Sequence, residues 1–280
     1  MRKYILALFG LLAALLFLAL FSFPDRNLHV IFCDVGQGDA ILIMQGKTQM
    51  LVDGGPDKSV LSCLGSHMPF WDREIEAVLV THPQDDHFGG IVDVVRRYNT
   101  HTLIHPGIDG PAKGWSALKD ELKSRAIKET IVSAGDKIRF TNLYFDILSP
   151  PKSYRGNDPP VGGQDLNEYS IVGNLSYGEF DVLLTGDVLP RVIPLFIDEV
   201  REVEVLKVPH HGSKNGLTKE LLEKSRPQLA VISVGKNNRF GHPHKEIMRL
   251  LGDKDIRVLR TDVDGEVELV SDGERWWRGN

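Results

Sequence analysis

At 280 residues the chain is long enough to bury a sizeable core, as one large domain or two small ones. Its 42% hydrophobic and 25% charged residues exclude wholesale disorder. A net charge of −5 excludes a domain that holds nucleic acid by a broad basic face, but not one in which bound metal supplies the local positive charge.

After Arg2 and Lys3 comes an uncharged apolar run, Tyr4 to Phe23 (YILALFGLLAALLFLALFSF). As a helix rising about 1.5 Å per residue, it would span a hydrocarbon core of roughly 30 Å. A cleaved signal peptide is the competing reading. Its apolar region should be shorter and end in a small-x-small site, whereas this run ends Leu20-Phe21-Ser22-Phe23-Pro24. The expectation is an uncleaved anchor over residues 1–26 that keeps the basic pair in the cytoplasm. Residues 27–280 would then be an extracytoplasmic domain on a single-pass cell-membrane protein. Without Arg2 and Lys3 the 33 basic residues fall to 31 against 38 acidic ones, a net of −7.

From His29 onward, short apolar or alternating runs are separated by turn residues. LHVIFCDV, DAILIMQ and TQMLVDGG read as three consecutive strands, the first two joined by Gly36-Gln37-Gly38. AVLVT and TLIHPG follow, with a helix-like FGGIVDVVRRY between them, and then a helix over GWSALKDELKSRA. KIRF, LYFDILS, YSIVGNLSYG and FDVLLTGD are further strands. The last third alternates: VEVLKVPHHG (strand), LTKELLEKS (helix), LAVISVG (strand), HKEIMRLLG (helix), then RVLRT and EVELV (strands). The Pro- and Gly-rich stretch Ser149 to Asn167 reads as a long surface loop near a site. This order predicts two sheets face to face with helices outside. Of the two cysteines, Cys33 lies in a strand-like run and reads as a buried thiol, with a disulfide as the alternative.

Polar residues gather where the apolar strands end. AVLVT runs into THPQDDHFGG, which carries His82, Asp85, Asp86 and His87. Other strands end at Asp53, at Asp187, at His210 and His211, and ahead of His242 and His244. Six of the ten histidines therefore follow strands, in three close pairs. Strand ends in a layered α/β domain converge on one edge, and neutral imidazole with carboxylate is a divalent-metal donor set. For Asp53, beside two glycines, a turn or cap is the favoured reading. His29, His67, His101 and His105 read as surface or structural residues. For HPQDDH a cap is inadequate, because a helix cap needs one Asp and not two carboxylates between two imidazoles.

These stretches together resemble the metallo-β-lactamase superfamily, and within it the hydrolase-like domain of ComEC-type DNA-uptake proteins. The resemblance is carried by CDVGQGDAILI, VDGG, THPQDDHFGG, NEYSIV, LLTGD, KVPHHGSKNG and NNRFGHPHKE, in that order along nearly the whole chain after the anchor. It implies a four-layer αββα sandwich with a metal site at one edge between the sheets. It also implies His82, Asp86, His87, Asp187 and a histidine of HHGS as ligands, with His211 preferred over His210. Asp187 would be able to bridge two metals and, with Asp86, to serve catalysis. His210, His242 and His244 would face the substrate. Two departures stand out. Gln84 occupies a position that is His in the wider superfamily and usually Asp in ComEC-like chains. Asn167 lies where superfamily enzymes supply a metal-binding His.

The function implied is a metal-dependent hydrolase, with a phosphodiester, including DNA, as substrate. One Zn²⁺ or Mn²⁺ would bind tightly and a second weakly or not at all. The alternatives are another hydrolase on the same fold, acting on a lactam, a lactone or a wall phosphodiester, or a non-catalytic binding module. One apolar span makes no DNA channel, so a channel would be a separate membrane partner.

Overall fold

The computed structural model describes residues 3–5, 7–11, 24–154 and 165–279. Residues 3–5 and 7–11 are helical, and among the described residues no helix is long and apolar enough to cross a membrane. Most of the expected anchor, and the middle of the expected loop 149–167, lie outside the described residues.

The first half of the chain forms β1 (Leu28–Phe32), β2 (Ile41–Gln45), β3 (Thr48–Val52), β4 (Glu74–Ile75), β5 (Ala77–Leu79), β6 (Asn99–Thr100), β7 (Thr102–His105) and β8 (Lys128–Ile131). β9 (Lys137–Phe140), β10 (Leu143–Ser149), β11 (Val172–Tyr177), β12 (Phe180–Leu184), β13 (Val205–Lys207), β14 (Leu229–Ile232) and β15 (Arg257–Arg260) follow. β16 (Val267–Ser271) and β17 (Trp276–Arg278) close the chain. One sheet has the order β17-β16-β1-β2-β3-β5-β7-β8 and the other β15-β14-β13-β12-β11-β10-β9, while β4 and β6 pair with each other. In both sheets hairpin-linked antiparallel strands give way to parallel ones, at β3–β5 in the first and β12–β13 in the second. That change requires crossover connections, and helices occupy them.

Because the side chains of a strand alternate between faces, each inner strand feeds two cores. Val30, Phe32, Ile43, Met50 and Leu79 meet Phe145, Leu175, Val182 and Val231 between the sheets. The opposite faces are covered by helices. Ile31, Leu42, Leu51 and Val78 pack under helices Val60–His67, Ile91–Arg97 and Lys113–Ser124. Leu183, Leu206, Ala230 and Ile232 pack under Lys219–Ser225 and Lys245–Gly252. Burial on both faces explains why the strands read as near-continuous apolar runs. Each fully buried Phe or Leu contributes about 2–3 kcal/mol through area removed from water.

Three local findings differ from the sequence reading. Cys33 and Cys63 are joined in a disulfide, with Cα atoms 5.8 Å apart, so the buried-thiol expectation is wrong. Cys63 sits on helix Val60–His67, a helix not anticipated because VLSCLGSH mixes Ser and Gly into its apolar pattern. The helix expected over FGGIVDVVRRY starts earlier and is split, Asp85–Phe88 then Ile91–Arg97, at Gly89-Gly90. A Cβ on Gly90 would stand 2.2 Å from the Gly54 carbonyl oxygen, so the two glycine pairs permit one close backbone crossing.

Candidate metal centre

The ends of β3, β5, β12 and β13 lead into Asp53, His82, Asp187 and His210-His211, at one edge between the sheets. The turn Asp85–Phe88 carries Asp86 and His87 to the same edge. The loop before β2 is pinned to it, because Asp39 N–H donates to the Asp86 carbonyl at 3.2 Å. Of the seven described non-glycine residues with positive φ, four belong to this edge: Asp53, His210, His211 and Asn237. Left-handed backbone at such residues persists only where the surroundings over-determine it.

Asp86, His87, Asp187 and His211 each present one donor atom, and these four atoms lie within 4.8 Å of one another. Asp187 Oδ2 is 3.3 Å from His87 Nε2 and 3.2 Å from His211 Nε2, and Asp86 Oδ2 is 3.6 Å from His211 Nε2. The other ring nitrogens are committed elsewhere. His211 Nδ1 donates to the Ser233 carbonyl at 2.9 Å, and His87 Nδ1 lies 2.8 Å from Asp53 Oδ2. A carbonyl only accepts, so His211 carries its neutral-form proton on Nδ1 and aims the Nε2 lone pair into the cluster. The Asp53 carboxylate does the same for His87. Nε2 of both rings and Asp187 Oδ1 are buried without hydrogen-bond partners. Buried polar atoms of that kind call for an explanation, and a divalent cation supplies one. The donor set fits it.

Electrostatics agree. Burial opposes ionisation of Asp187, but His211 and His87 hold its carboxyl well below the usual range. Burial likewise opposes protonation of His211, yet Asp187 and Asp39 push it up to about 9. His87 is also raised, against burial, by Asp187 and Asp53. The carboxylates thus draw positive charge to the Nε2 positions, where a metal competes with protons.

Lys207, Asp39 and Asp53 were not assigned to this centre from the sequence. Lys207, fully buried on β13, pairs with Asp39, donates to the Gly186 carbonyl at 3.1 Å and stands 3.8 Å from Asp187 Oδ1. Burial opposes its charge, but Asp39 and Asp187 raise its pKa. The sequence signal was present: a lysine inside the apolar run VEVLKV needs a buried partner. Asp53, read as a turn residue, is fully buried and accepts from Thr81 N–H and Thr81 Oγ–H, both at 2.7 Å, while holding His87.

The remaining expected residues divide. His82 is buried beside His87, ring centroids 4.1 Å apart, with Nε2 unpartnered, but it does not join the four-atom set. Burial and the His87 charge lower its pKa to about 3. His210 and His242 line a cavity of about 570 Å³ together with Gln37, Gln84, Asp187, His211 and Phe240. Burial lowers both, His242 to about 4, so both are neutral at pH 7. His244 is not brought into this lining; its Nδ1 accepts from Lys214 N–H at 3.1 Å. Asn167 is buried with its Oδ1 unpartnered.

Residues 33–236, more than half of the chain, match the sequence profile of the metallo-beta-lactamase superfamily. The chain belongs to this superfamily. The expected family resemblance is therefore shown, and the superfamily's members are metal-dependent hydrolases that bind divalent metals. Among curated relatives, ComE operon protein 3 of Bacillus subtilis is 31% identical over 289 residues, covering 92% of this chain and 35% of that protein. Recombination protein 2 of Haemophilus influenzae is 30% identical over 245 residues, covering 84% of this chain and 28% of that protein. The chain thus spans about a third of the length of these relatives. Among solved structures, the metallo-beta-lactamase fold protein YhfI from Bacillus subtilis superposes with a TM-score of 0.54 at 14% identity, covering 84% of this chain and 96% of that one. That likeness concerns the fold.

Proposed function

We propose that this chain is a divalent-metal-dependent phosphodiesterase that acts outside the cytoplasmic membrane, with DNA among its substrates. The observation that carries this reading is the convergence of Asp86, His87, Asp187 and His211, with the Nδ1 atom of each imidazole already engaged by Asp53 or Ser233. These four residues would hold one cation tightly, and His82 with Gln84 would offer a second position only weak ligands. When bound, the cation supplies Lewis-acid polarisation of a phosphoryl oxygen and activation of water.

The chain's own groups do the rest. Asp187, held ionised between two imidazoles, is placed to orient an attacking water. His210 and His242, neutral and facing the cavity, would hydrogen-bond a phosphate or pass a proton to the leaving oxygen, rather than neutralise charge as cations. Asp39–Lys207 keeps a positive charge behind Asp187 and limits its freedom to turn away. Similarity to ComE operon protein 3 and Recombination protein 2 supports a nucleic-acid substrate, and this reading would pair the chain with a separate channel protein. The Cys33–Cys63 disulfide supports an oxidising location, in keeping with a membrane-tethered domain facing outward.

The test is metal analysis of the purified chain, followed by assay of plasmid DNA and bis-p-nitrophenyl phosphate beside nitrocefin under Mn²⁺ and Zn²⁺. Asp187→Ala should lose bound metal and phosphodiesterase activity together, metal affinity falling at least ten- to a hundred-fold. Full metal content in that variant, or hydrolysis of nitrocefin alone, would reject the reading.

A further inference from the structure

At the mouth of the cavity stands an exposed aromatic side chain that no hydrogen bond or core contact accounts for. Phe240 is 48% exposed, and its ring is stacked on His242 at 24° with centroids 5.6 Å apart. His242 is in turn stacked at 29° on His211, a residue of the candidate metal centre. The guanidinium of Arg239 lies over the Phe240 ring, 5.0 Å from its centroid, and among the described residues it makes no ion pair. All four line or adjoin the same cavity.

The loop holding them is braced. The Asn238 side chain donates to the Gly235 carbonyl at 3.0 Å and to the His242 carbonyl at 2.7 Å. Its oxygen accepts from Phe240 N–H at 3.2 Å and His242 N–H at 3.0 Å. Gln37 Oε1 reaches across from the other sheet's edge to accept from Gly235 N–H at 3.2 Å. A large apolar ring on such a loop is exposed on a braced backbone, which lowers the ordering cost of a stacking platform.

We infer that Phe240 and Arg239 form a nucleobase-stacking platform, which makes the substrate of this site a single-stranded nucleic acid with an unpaired base next to the scissile phosphate. The inference rests on the phosphodiesterase reading for the role of the centre and adds the substrate's class. A base would stack on the Phe240 ring, continuing the row of rings that leads from His211, and Arg239 would leave the ring for the adjoining phosphate. The exchange is favourable because a base is a larger, flatter partner than a guanidinium, and a phosphate offers Arg the charge it now lacks. Duplex DNA keeps its bases stacked on one another, so it would gain nothing from the platform until a strand is freed.

The experiment compares the binding of two fluorescein-labelled oligomers of equal length and charge, an oligothymidylate and an abasic chain, to the full chain in EDTA by anisotropy. Wild type should prefer the oligothymidylate by roughly five-fold or more, the scale of one base–aromatic stack. Phe240→Ala should bring that ratio to about one, and Phe240→Tyr should retain it. Arg239→Gln should lower affinity for both oligomers and reduce the salt slope by about one phosphate contact. Equal binding of the two oligomers by wild type, or an undiminished preference in Phe240→Ala, overturns the platform. Hydrolysis of bis-p-nitrophenyl phosphate under Mn²⁺, measured in parallel, separates the two readings. Hydrolysis without base preference rejects the platform alone. Base preference without hydrolysis upholds the platform and rejects the phosphodiesterase.

Discussion

A single carboxylate illustrates how the centre is organised. Asp53 does not enter the four-atom set, yet it accepts from Thr81 and orients His87 from within a fully buried position. Burial raises its pKa, so its charge depends on the neighbouring His87. Asp53→Asn keeps the shape and an oxygen acceptor but removes the charge that favours the Nδ1–H form of His87. Metal affinity should fall roughly ten- to a hundred-fold in a competitive chelator titration, with unchanged circular dichroism. Gln84 makes the complementary case. It precedes the turn Asp85–Phe88 without a side-chain capping bond and lines the cavity. A carboxylate there, beside His82 with its Nε2 unpartnered, would strengthen a second metal position. Gln84→Asp should raise Mn²⁺ stoichiometry from one toward two in titration of the apo-protein; an unchanged stoichiometry would leave Gln84 outside the metal's reach.

At the scale of elements, the pairing of β1 with β16 under helix Val60–His67 carries its own ionic cluster. Helix Val60–His67 ends on His67, which pairs with Glu266 beside β16, while His29 on β1 lies 2.7 Å from Glu268 on β16. The Glu266 contact raises the His67 pKa despite burial, and His29 is raised, against burial, by Glu268 and Asp25. The folded state therefore holds more protons than the unfolded one just above pH 6.5, the ordinary histidine value. The stabilisation is fully present below that pH and is lost as pH rises through the higher folded-state pKa. The urea-midpoint difference between wild type and His67→Gln should be largest near about pH 6 and shrink toward about pH 9. A difference independent of pH would mean that His67 acts by packing alone. Sequence periodicity had placed β1 and β16 but could not pair them, because they lie near opposite ends of the domain sequence and meet only through the sheet order.

For the whole molecule, the disulfide ties the outer helix layer to the end of β1 across a separation of 30 residues. Loop-closure entropy for such a span predicts a loss of about 3–4 kcal/mol on its removal. Cys63→Ala should lower the denaturant midpoint accordingly, and reductant should move wild type, but not the variant, by the same amount. If reductant leaves the wild-type midpoint in place, the bond contributes nothing to stability and Cys33 acts as the buried thiol first expected.

Most strands, four of the main helices in outline, the two-sheet layering and the gathering of polar strand ends were legible in the sequence, whereas helix Val60–His67, β8 and β17 were not. Hydrophobic alternation reports which segments are buried, and strands packed in layers deliver their ends to a common edge. Strand ends alone drew attention to His82, Asp85, Asp86, His87, Asp187, His210 and His211; the narrower ligand set His82, Asp86, His87, Asp187 and His211 was what the family resemblance, carried by ordered motifs, implied. Tertiary structure alone decided how they divide: four donors converge, His82 stands beside them, and His244 turns to Lys214. The same holds for the partners Asp53, Asp39 and Lys207 and for the Cys33–Cys63 bond. Each of these depends on distances between residues far apart in the chain, and on which face a backbone with positive φ presents at the end of a strand. Local pattern carries no information about either quantity, because both are set by how the two sheets are packed against each other.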